Sequence, residues 1–425
     1  MVSNTGVIAA CHGPDSDEYH RADGADDTID QRMTPTQRLR GEMQAGRKHV
    51  TGLTDRARTV LDARNDPDAK PATRQLREMI QLRRSVTALS PREYHEYRLH
   101  DLSLWADVDI TEVGGMRMWN WLHETLNNPN WDAVVSDKAI MAMVFRQAGI
   151  PHPDITALST QYDRACGSIP VLRNRHELGA FMMGRMPCPA FIKPVVGGHG
   201  DSCHRIDAVD AATGTLTVDG DAEMSVDAFV DGLYDPTGWG FLFQKAVQPS
   251  PETIPVIGNG LSGLRMVVLL HDGGPVLFRS IWKLPAPGSV TDNYGQGNRG
   301  NGVAAVDVAT GVVQATHWGR PPSQPMDSPH PVTGAPITGI RVPLWDDVVE
   351  VTLAAARVFP GFRFQHWDVG LTSDGPVVYE LNNGGGLYDS DLPGTPGSYD
   401  DQLQRFVDEY GHAPQHARHR GMVAR

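Results

Sequence analysis

Three residues late in the chain, Asp368, Glu380 and Asn382, have the types and spacing to bind a divalent cation. Asp368 falls in an apolar run at 366–371. Glu380 and Asn382 fall at the end of a second run, 377–381, and just beyond it. The turn-like Thr372-Ser373-Asp374-Gly375 between the runs predicts a hairpin. Strand side chains alternate faces, so Glu380 and Asn382 share one, and a cross-strand Asp368 can join them. Two carboxylates and an amide oxygen are hard ligands, suited to Mg²⁺ bridged to nucleotide phosphates. An Asp–Glu pair on a hairpin can also be two solvated acids. The Glu-x-Asn spacing, the apolar strand around it and the following Gly384-Gly385-Gly386 favour the metal.

A second signal runs from Phe191 to Gly200, where a strand ends in Lys193-Pro194 and a loop carries Gly197, Gly198, His199 and Gly200. Glycines let backbone amides approach phosphate oxygens, and a lysine adds a positive point charge. The loop is not a Walker A sequence, because no Gly-Lys-Ser/Thr follows. It is not a Rossmann fingerprint, because no helix is predicted to open after it. A plain hairpin with a flexible tip has the same sequence. The third signal is Ser136-Asp137-Lys138 at the start of a predicted helix. A lysine in the first turn opposes the helix dipole, which makes sense where it reaches an anionic ligand; the alternative is a solvated lysine.

These residues need elements to hold them. Ile140, Met143, Val144 and Gln147 recur at helical spacing over 137–148, and Gly149, Pro151 and Pro153 stop the helix. Apolar runs at 190–193, 240–247, 264–271 and 276–282 read as strands separated by turns such as His271-Asp272-Gly273-Gly274. An amphipathic helix is expected at 344–357, then the metal-site hairpin and a short helix from about 401. Ser90-Pro91-Arg92-Glu93 is a helix start with a capping box. No internal repeat is evident. Helices with a largely antiparallel strand set predict an α+β fold in two lobes. The expected division is a mobile tail at 1–32, a helical N-terminal domain at 33–130, a lysine and glycine-loop subdomain at 131–245, a metal and substrate subdomain at 246–400, and a C-terminal helix and tail at 401–425.

The bulk numbers fit this division. A chain of 425 residues, 40% hydrophobic, can bury a large core. Its net charge of −13 argues against a nucleic-acid surface, which needs a basic excess. Cys11, Cys166, Cys188 and Cys203 form no CxxC pair and read as reduced thiols of a cytoplasmic protein. No apolar run reaches the roughly 18 residues that span a bilayer, and no signal-peptide pattern opens the chain. The histidines show no metal-binding spacing, and no Gly-x-Ser-x-Gly elbow is present.

Lys138 with its helix, Lys193 with its glycine loop, and Asp368…Glu380-x-Asn382 occur in an order and spacing that closely resemble the ATP-grasp fold. The resemblance covers about residues 100–395. It is nearest to the sugar-transfer-associated branch, through Asn127, Gln244…Gln248, Leu264-Arg265, Trp282, Asp292-Asn293 and His366-Trp367-Asp368. It implies two α+β subdomains that clasp ATP. By it, Lys138 and Lys193 contact phosphates, Gly197–Gly200 close over them, and Asp368, Glu380 and Asn382 hold Mg²⁺. Adenine then lies against Gln244-Lys245-Ala246-Val247, read by backbone groups of Lys245 and Val247. Many relatives carry a Glu where this chain has Gln244; Glu252 is the candidate for the ribose. Arg265, Arg279 and Lys283 are expected on cleft-facing strands, where one or two neutralise a transferring phosphoryl group. The polar loop 292–302, with Arg299, is either a flexible connection or a substrate-recognition loop. The implied activity joins a small-molecule carboxylate to an amine through an acyl phosphate. A kinase on the same fold, or a nucleotide-binding scaffold, are the alternatives.

Overall fold

The structure is a computed structural model that describes residues 68–106, 108–197, 202–233, 238–289, 291–294, 300–318, 326–384, 391–392 and 395–412. Helices α1 (Ala72–Arg84) and α2 (Pro91–Glu96) share a small core of Leu82, Tyr94, Tyr97 and Trp105. Ser90 caps α2 as its sequence implies. Its hydroxyl accepts the Glu93 N–H, and the Glu93 carboxylate accepts the Ser90 N–H. Helix α3 (Met116–Leu126) belongs to a different core: Met118, Trp119, Leu122 and Leu126 pack with Val267, Leu269 and Phe364. The segment 33–130, expected as one domain, is therefore not one packing unit among its described residues.

A short helix, α4 (Asp132–Ser136), leads into α5 (Lys138–Ala148). Gly149 ends α5 at φ +70°, the left-handed conformation that glycine adopts at no steric cost. The next stretch builds β1 (Ile155–Ser159), β2 (Val171–Leu172), α6 (Arg175–Gly184), β3 (Ala190–Pro194), β4 (His204–Asp210), β5 (Thr215–Val218), β6 (Ala222–Ser225), α7 (Val226–Gly232) and β7 (Phe241–Lys245). Its seven-stranded sheet has the order β2-β1-β7-β3-β4-β5-β6 and is antiparallel except between β1 and β2. Helices α6 and α7 cover it through Phe181, Met182, Phe229 and Val230. Strands β3 and β4, which flank the glycine-rich segment in sequence, pair antiparallel, with Ala190 opposite Ile206.

A second sheet follows the short helix α8 (Ile254–Ile257). It contains β8 (Gly263–His271), β9 (Gly274–Leu284), β10 (Gly302–Val306) and β11 (Val313–Trp318). Helix α9 (Trp345–Ala356) intervenes before β12 (Phe364–Thr372), β13 (Gly375–Asn382) and α10 (Asp401–Tyr410). The order is β11-β10-β9-β8-β12-β13, antiparallel throughout. Leu264, Met266, Val268, Trp367 and Val369 pack on the face shared with Val348 and Val351 of α9. Val267, Leu269, Ile281 and Phe364 pack on the other, with Leu403 and Phe406 of α10. Each such side chain contributes about 1.5–3 kcal/mol when fully buried. A one-residue slip would send every one of them to the wrong face, so packing fixes the register. That register decides which polar side chains meet. Among the described residues no helix is long and apolar enough to cross a membrane.

Candidate active site

Asp368 lies directly opposite Glu380 on β13 and Arg265 on β8. One ladder step away, His366 lies opposite Asn382 and Val267. All of these point to the face that also carries Phe364, so the polar cluster continues a buried apolar floor. Arg265 donates twice to Asp368, from Nε to Oδ1 at 2.7 Å and from Nη2 to Oδ2 at 3.2 Å. Lys283 Nζ adds a third bond to Oδ1 at 2.8 Å, and Asn382 Nδ2 a fourth to Oδ2 at 3.1 Å. Burial pushes the Asp368 carboxyl up. The two cations and their hydrogen bonds outweigh it and hold the group well below the usual carboxylate range.

From the start of α5 and from β3 of the first sheet, Lys138 and Lys193 approach the same carboxylates. Lys138 donates to the carbonyl of Gly197, and its Nζ lies 3.6 Å from Glu380 Oε2. Lys193 is buried, and burial pushes its ammonium pKa down. Lys138 pushes it further, while Glu380 opposes both. Asp137 is the N-cap of α5: one of its oxygens accepts the Ala139 and Ile140 N–H groups, and both are held by Arg164 at 2.6 and 2.9 Å. Asp137 therefore offsets the unfavourable placement of Lys138 near the helix dipole. It leaves the Lys138 side chain projecting toward Glu380 and the glycine turn, where Gly197 sits at φ +121°.

The other expected residues divide. Gln244 lines a small cavity together with Lys138, Met141, Phe145, Lys193 and Tyr379. Lys245 and Val247 were expected to read adenine through backbone groups; the Lys245 N–H is bonded to the Asp154 carbonyl at 3.0 Å, and the Ala246 N–H to that of Pro189. Val247 follows at the strand's exit, and Glu252 lies in the exposed turn before α8. Arg279 does not join Asp368. Its guanidinium lies 4.2 Å over the Phe278 ring and donates to Gly397 O and to Asp400, the N-cap of α10. It braces a helix rather than the carboxylate cluster. Gly198, His199, Gly200 and Arg299 lie outside the described residues. The polar loop is built at its base: buried Asn301 accepts the Ala286 N–H and donates to the carbonyls of Thr291 and Asn293.

Two residues were missed or read differently. Tyr379 precedes Glu380, and strict alternation would point it away from the site. A bulge between Asp368 and Val369 inserts one extra residue in β13 and brings its hydroxyl over Gly370. Asn127 was singled out by its resemblance alone. Its amide pairs with both backbone groups of Phe364, at 2.9 Å to N and 2.8 Å to O, and so locks α3 to β12.

Among the described residues, no cluster of three His, Cys, Asp or Glu side chains forms a complete metal cage. The donor set here is two carboxylates and one amide. Both Asn382 contacts run through its Nδ2, so its Oδ1 is not used in them. Such a set fits an ion that completes its shell with phosphate oxygens and water.

The chain matches the family model described as "Sugar-transfer associated ATP-grasp" over residues 118–405. No curated protein sequence matches it. Among solved structures it is similar to a D-alanine–D-alanine ligase from Bacillus anthracis, with 13% identity and a TM-score of 0.37, covering 69% of this chain and 74% of that one. A D-Ala:D-Ser ligase from Enterococcus faecalis gives 12%, 0.36, 67% and 64%. An L-amino acid ligase from Bacillus licheniformis gives 12%, 0.32, 60% and 42%, so the chain spans less than half of that protein's length.

Proposed function

Because the chain belongs to the sugar-transfer-associated ATP-grasp family, we propose that it is an ATP-dependent ligase joining a small-molecule carboxylate to an amine. The observation that carries this reading is the convergence of Lys138, Lys193, Arg265 and Lys283 on Asp368, Glu380 and Asn382 at one end of the β12–β13 hairpin. A triphosphate needs such a mixture of cations and oxygen donors.

The substrate carboxylate attacks the γ-phosphorus of ATP. The bond to the β,γ-bridging oxygen breaks, leaving an acyl phosphate and ADP. The amine then attacks the acyl carbon, phosphate leaves, and the amine's proton passes to solvent or to the departing phosphate. Lys138 and Lys193 hold the phosphates. Arg265 and Lys283, both bonded to Asp368, are set to face the transferring phosphoryl group without rearranging, which is electrostatic preorganisation. Asp368, Glu380 and Asn382 would hold Mg²⁺, which supplies charge withdrawal from phosphate oxygens. Gly197–Gly200 close over the phosphates in this reading, and the 292–302 segment with Arg299 recognises substrate. Adenine lies along 244–247. Cys166, Cys188 and Cys203 form no disulfide among the described residues, which fits a cytoplasmic setting.

The test is ADP release across a panel of carboxylates with and without amines, followed by mass spectrometry of products. An amide with free phosphate is expected; phosphate retained on the substrate would make the protein a kinase. Glu380→Gln should abolish ADP formation and leave the circular dichroism spectrum and melting temperature unchanged. Unaltered turnover in that variant would remove Glu380 from the chemistry.

A further inference from the structure

The small core of α1 and α2 borders a cavity of about 300 Å³ that shares no lining residue with the cavity at Lys138 and Lys193. That volume is at the small end of the range for small-molecule sites, which pair an apolar lining with a few convergent polar groups. Buried Leu82 and Trp105 give it an apolar floor. The indole N–H of Trp105 is already spent on the Tyr97 carbonyl at 3.0 Å, so the ring contributes surface rather than a donor. Arg74 and Asp109, both exposed, line the same cavity with opposite charges.

These two do not neutralise each other. Arg74 donates from Nε to Glu78 at 2.8 Å, and Asp109 Oδ1 accepts the N–H and the hydroxyl of Thr111 at 2.9 and 2.7 Å. Among the described residues, neither the Nη groups of Arg74 nor the second oxygen of Asp109 makes a hydrogen bond. The guanidinium is also aligned from behind. Glu78 Oε2 accepts Lys70 Nζ at 2.9 Å and the Tyr94 hydroxyl at 2.6 Å, and both of those residues are buried. Burial pushes the Glu78 carboxyl up; the bonds from Tyr94, Lys70 and Arg74 outweigh it and hold the group low. A buried ion pair gives little or no stability over apolar residues of the same volume. A core this small therefore gains little from the network itself. What the network fixes is the direction of one guanidinium edge.

We propose that this cavity binds a small zwitterion of the α-amino-acid class, with its carboxylate on the Nη edge of Arg74, its ammonium on Asp109 and an apolar side chain against Leu82 and Trp105. A guanidinium fork matches a carboxylate with two parallel bonds, which a lysine cannot do. A carboxylate oxygen accepts from an ammonium. The site is independent of the nucleotide reading and stands or falls without it.

Calorimetric titration of the full chain with free apolar L-amino acids, leucine and phenylalanine among them, tests this. At least one should bind saturably. Isocaproate and isoamylamine each keep the leucine side chain and lose one of its two charges. Each should bind about tenfold more weakly than leucine, the worth of a hydrogen bond to a charged group. Arg74→Gln and Asp109→Asn should each weaken the amino acid about tenfold as well. Both positions are exposed, Glu78 keeps Lys70 and Tyr94 in the first variant, and the new amide keeps an acceptor for Thr111 in the second, so both should melt with wild type. Unchanged affinity in either variant would put the ligand elsewhere and overturn the site. Half-ligands that bind as tightly as the amino acid would overturn the zwitterion, and a wild type that binds no amino acid of the panel would overturn the proposal outright.

Discussion

Asp368 and Glu380 face each other across one rung of β12–β13, yet they have different physical roles. Asp368 is buried and accepts four bonds, three of them from Arg265 and Lys283. Removing its charge leaves two partly buried cations without their counterion. Breaking such a pair from one side costs about 3–5 kcal/mol, and the partial exposure of Arg265 reduces this to about 2–4 kcal/mol. Glu380 is more exposed, and its nearest cation is 3.6 Å away, so Glu380→Gln should change stability by no more than about 0.5 kcal/mol. Urea unfolding of Asp368→Asn and Glu380→Gln should therefore separate the two; equal midpoints would contradict the assignment of Asp368 as a structural counterion. At this scale the sequence was informative about residue types and their rung, because period-two alternation leaves little freedom on an apolar strand. It did not distinguish Arg265 from Arg279. Both sit on the same face of the sheet, and only the position of α10 diverts Arg279 to Asp400.

Elements were legible where an apolar run and its punctuation agree. The expected helix at 137–148 is Lys138–Ala148, and the expected strand at 264–271 is Gly263–His271. Helix α3 gave no start signal, because its N-cap Gly115 offers no side-chain bond. Strand β6 gave none either, because its four residues, Ala222-Glu223-Met224-Ser225, are all exposed and make too short an alternation, with one large apolar side chain, to stand out. The bulge at Tyr379 was illegible for another reason: it follows from cross-strand pairing, not from any local residue. Helix α3 is fastened instead at its C-cap, where Asn127 satisfies the N–H and C=O of buried Phe364. Asn127→Ala deletes two buried bonds and strands both backbone groups, an expected loss of about 2–4 kcal/mol. Asn127→Asp keeps the acceptor but sets a carboxylate oxygen against the Phe364 carbonyl, so it should not rescue. Thermal melts of the two variants give the comparison. An alanine variant as stable as wild type would mean that α3 is held by its apolar face alone.

On the scale of the molecule, residues 110–115 and 391–400 are far apart in sequence and tied through one carboxylate. Buried Asp391 accepts the Gly114 N–H at 2.9 Å, the Ser398 N–H at 2.7 Å and the Ser398 hydroxyl at 2.7 Å. Nothing in the sequence marks this residue, because its three donors come from segments without periodic pattern. Burial pushes its carboxyl up to about 6, and the hydrogen bonds only partly oppose that. An unfolded Asp titrates near 3.9. Between these two values the native state holds a proton that the unfolded chain has released, so stability falls as pH rises from about 4 to about 6. Below that window Asp391 is neutral in both states and adds no penalty. Above it the folded protein carries a buried anion, a cost of about 3 kcal/mol at roughly 1.4 kcal/mol per unit. Asp391→Asn removes the titration while keeping the shape. Urea midpoints of wild type and variant measured from pH 4 to 7 should therefore diverge across the window, with wild type losing ground to the variant as pH rises, and should run parallel above pH 7. Parallel curves throughout, or wild type gaining on the variant with rising pH, would show that the hydrogen bonds outweigh burial and hold Asp391 ionised well below 6.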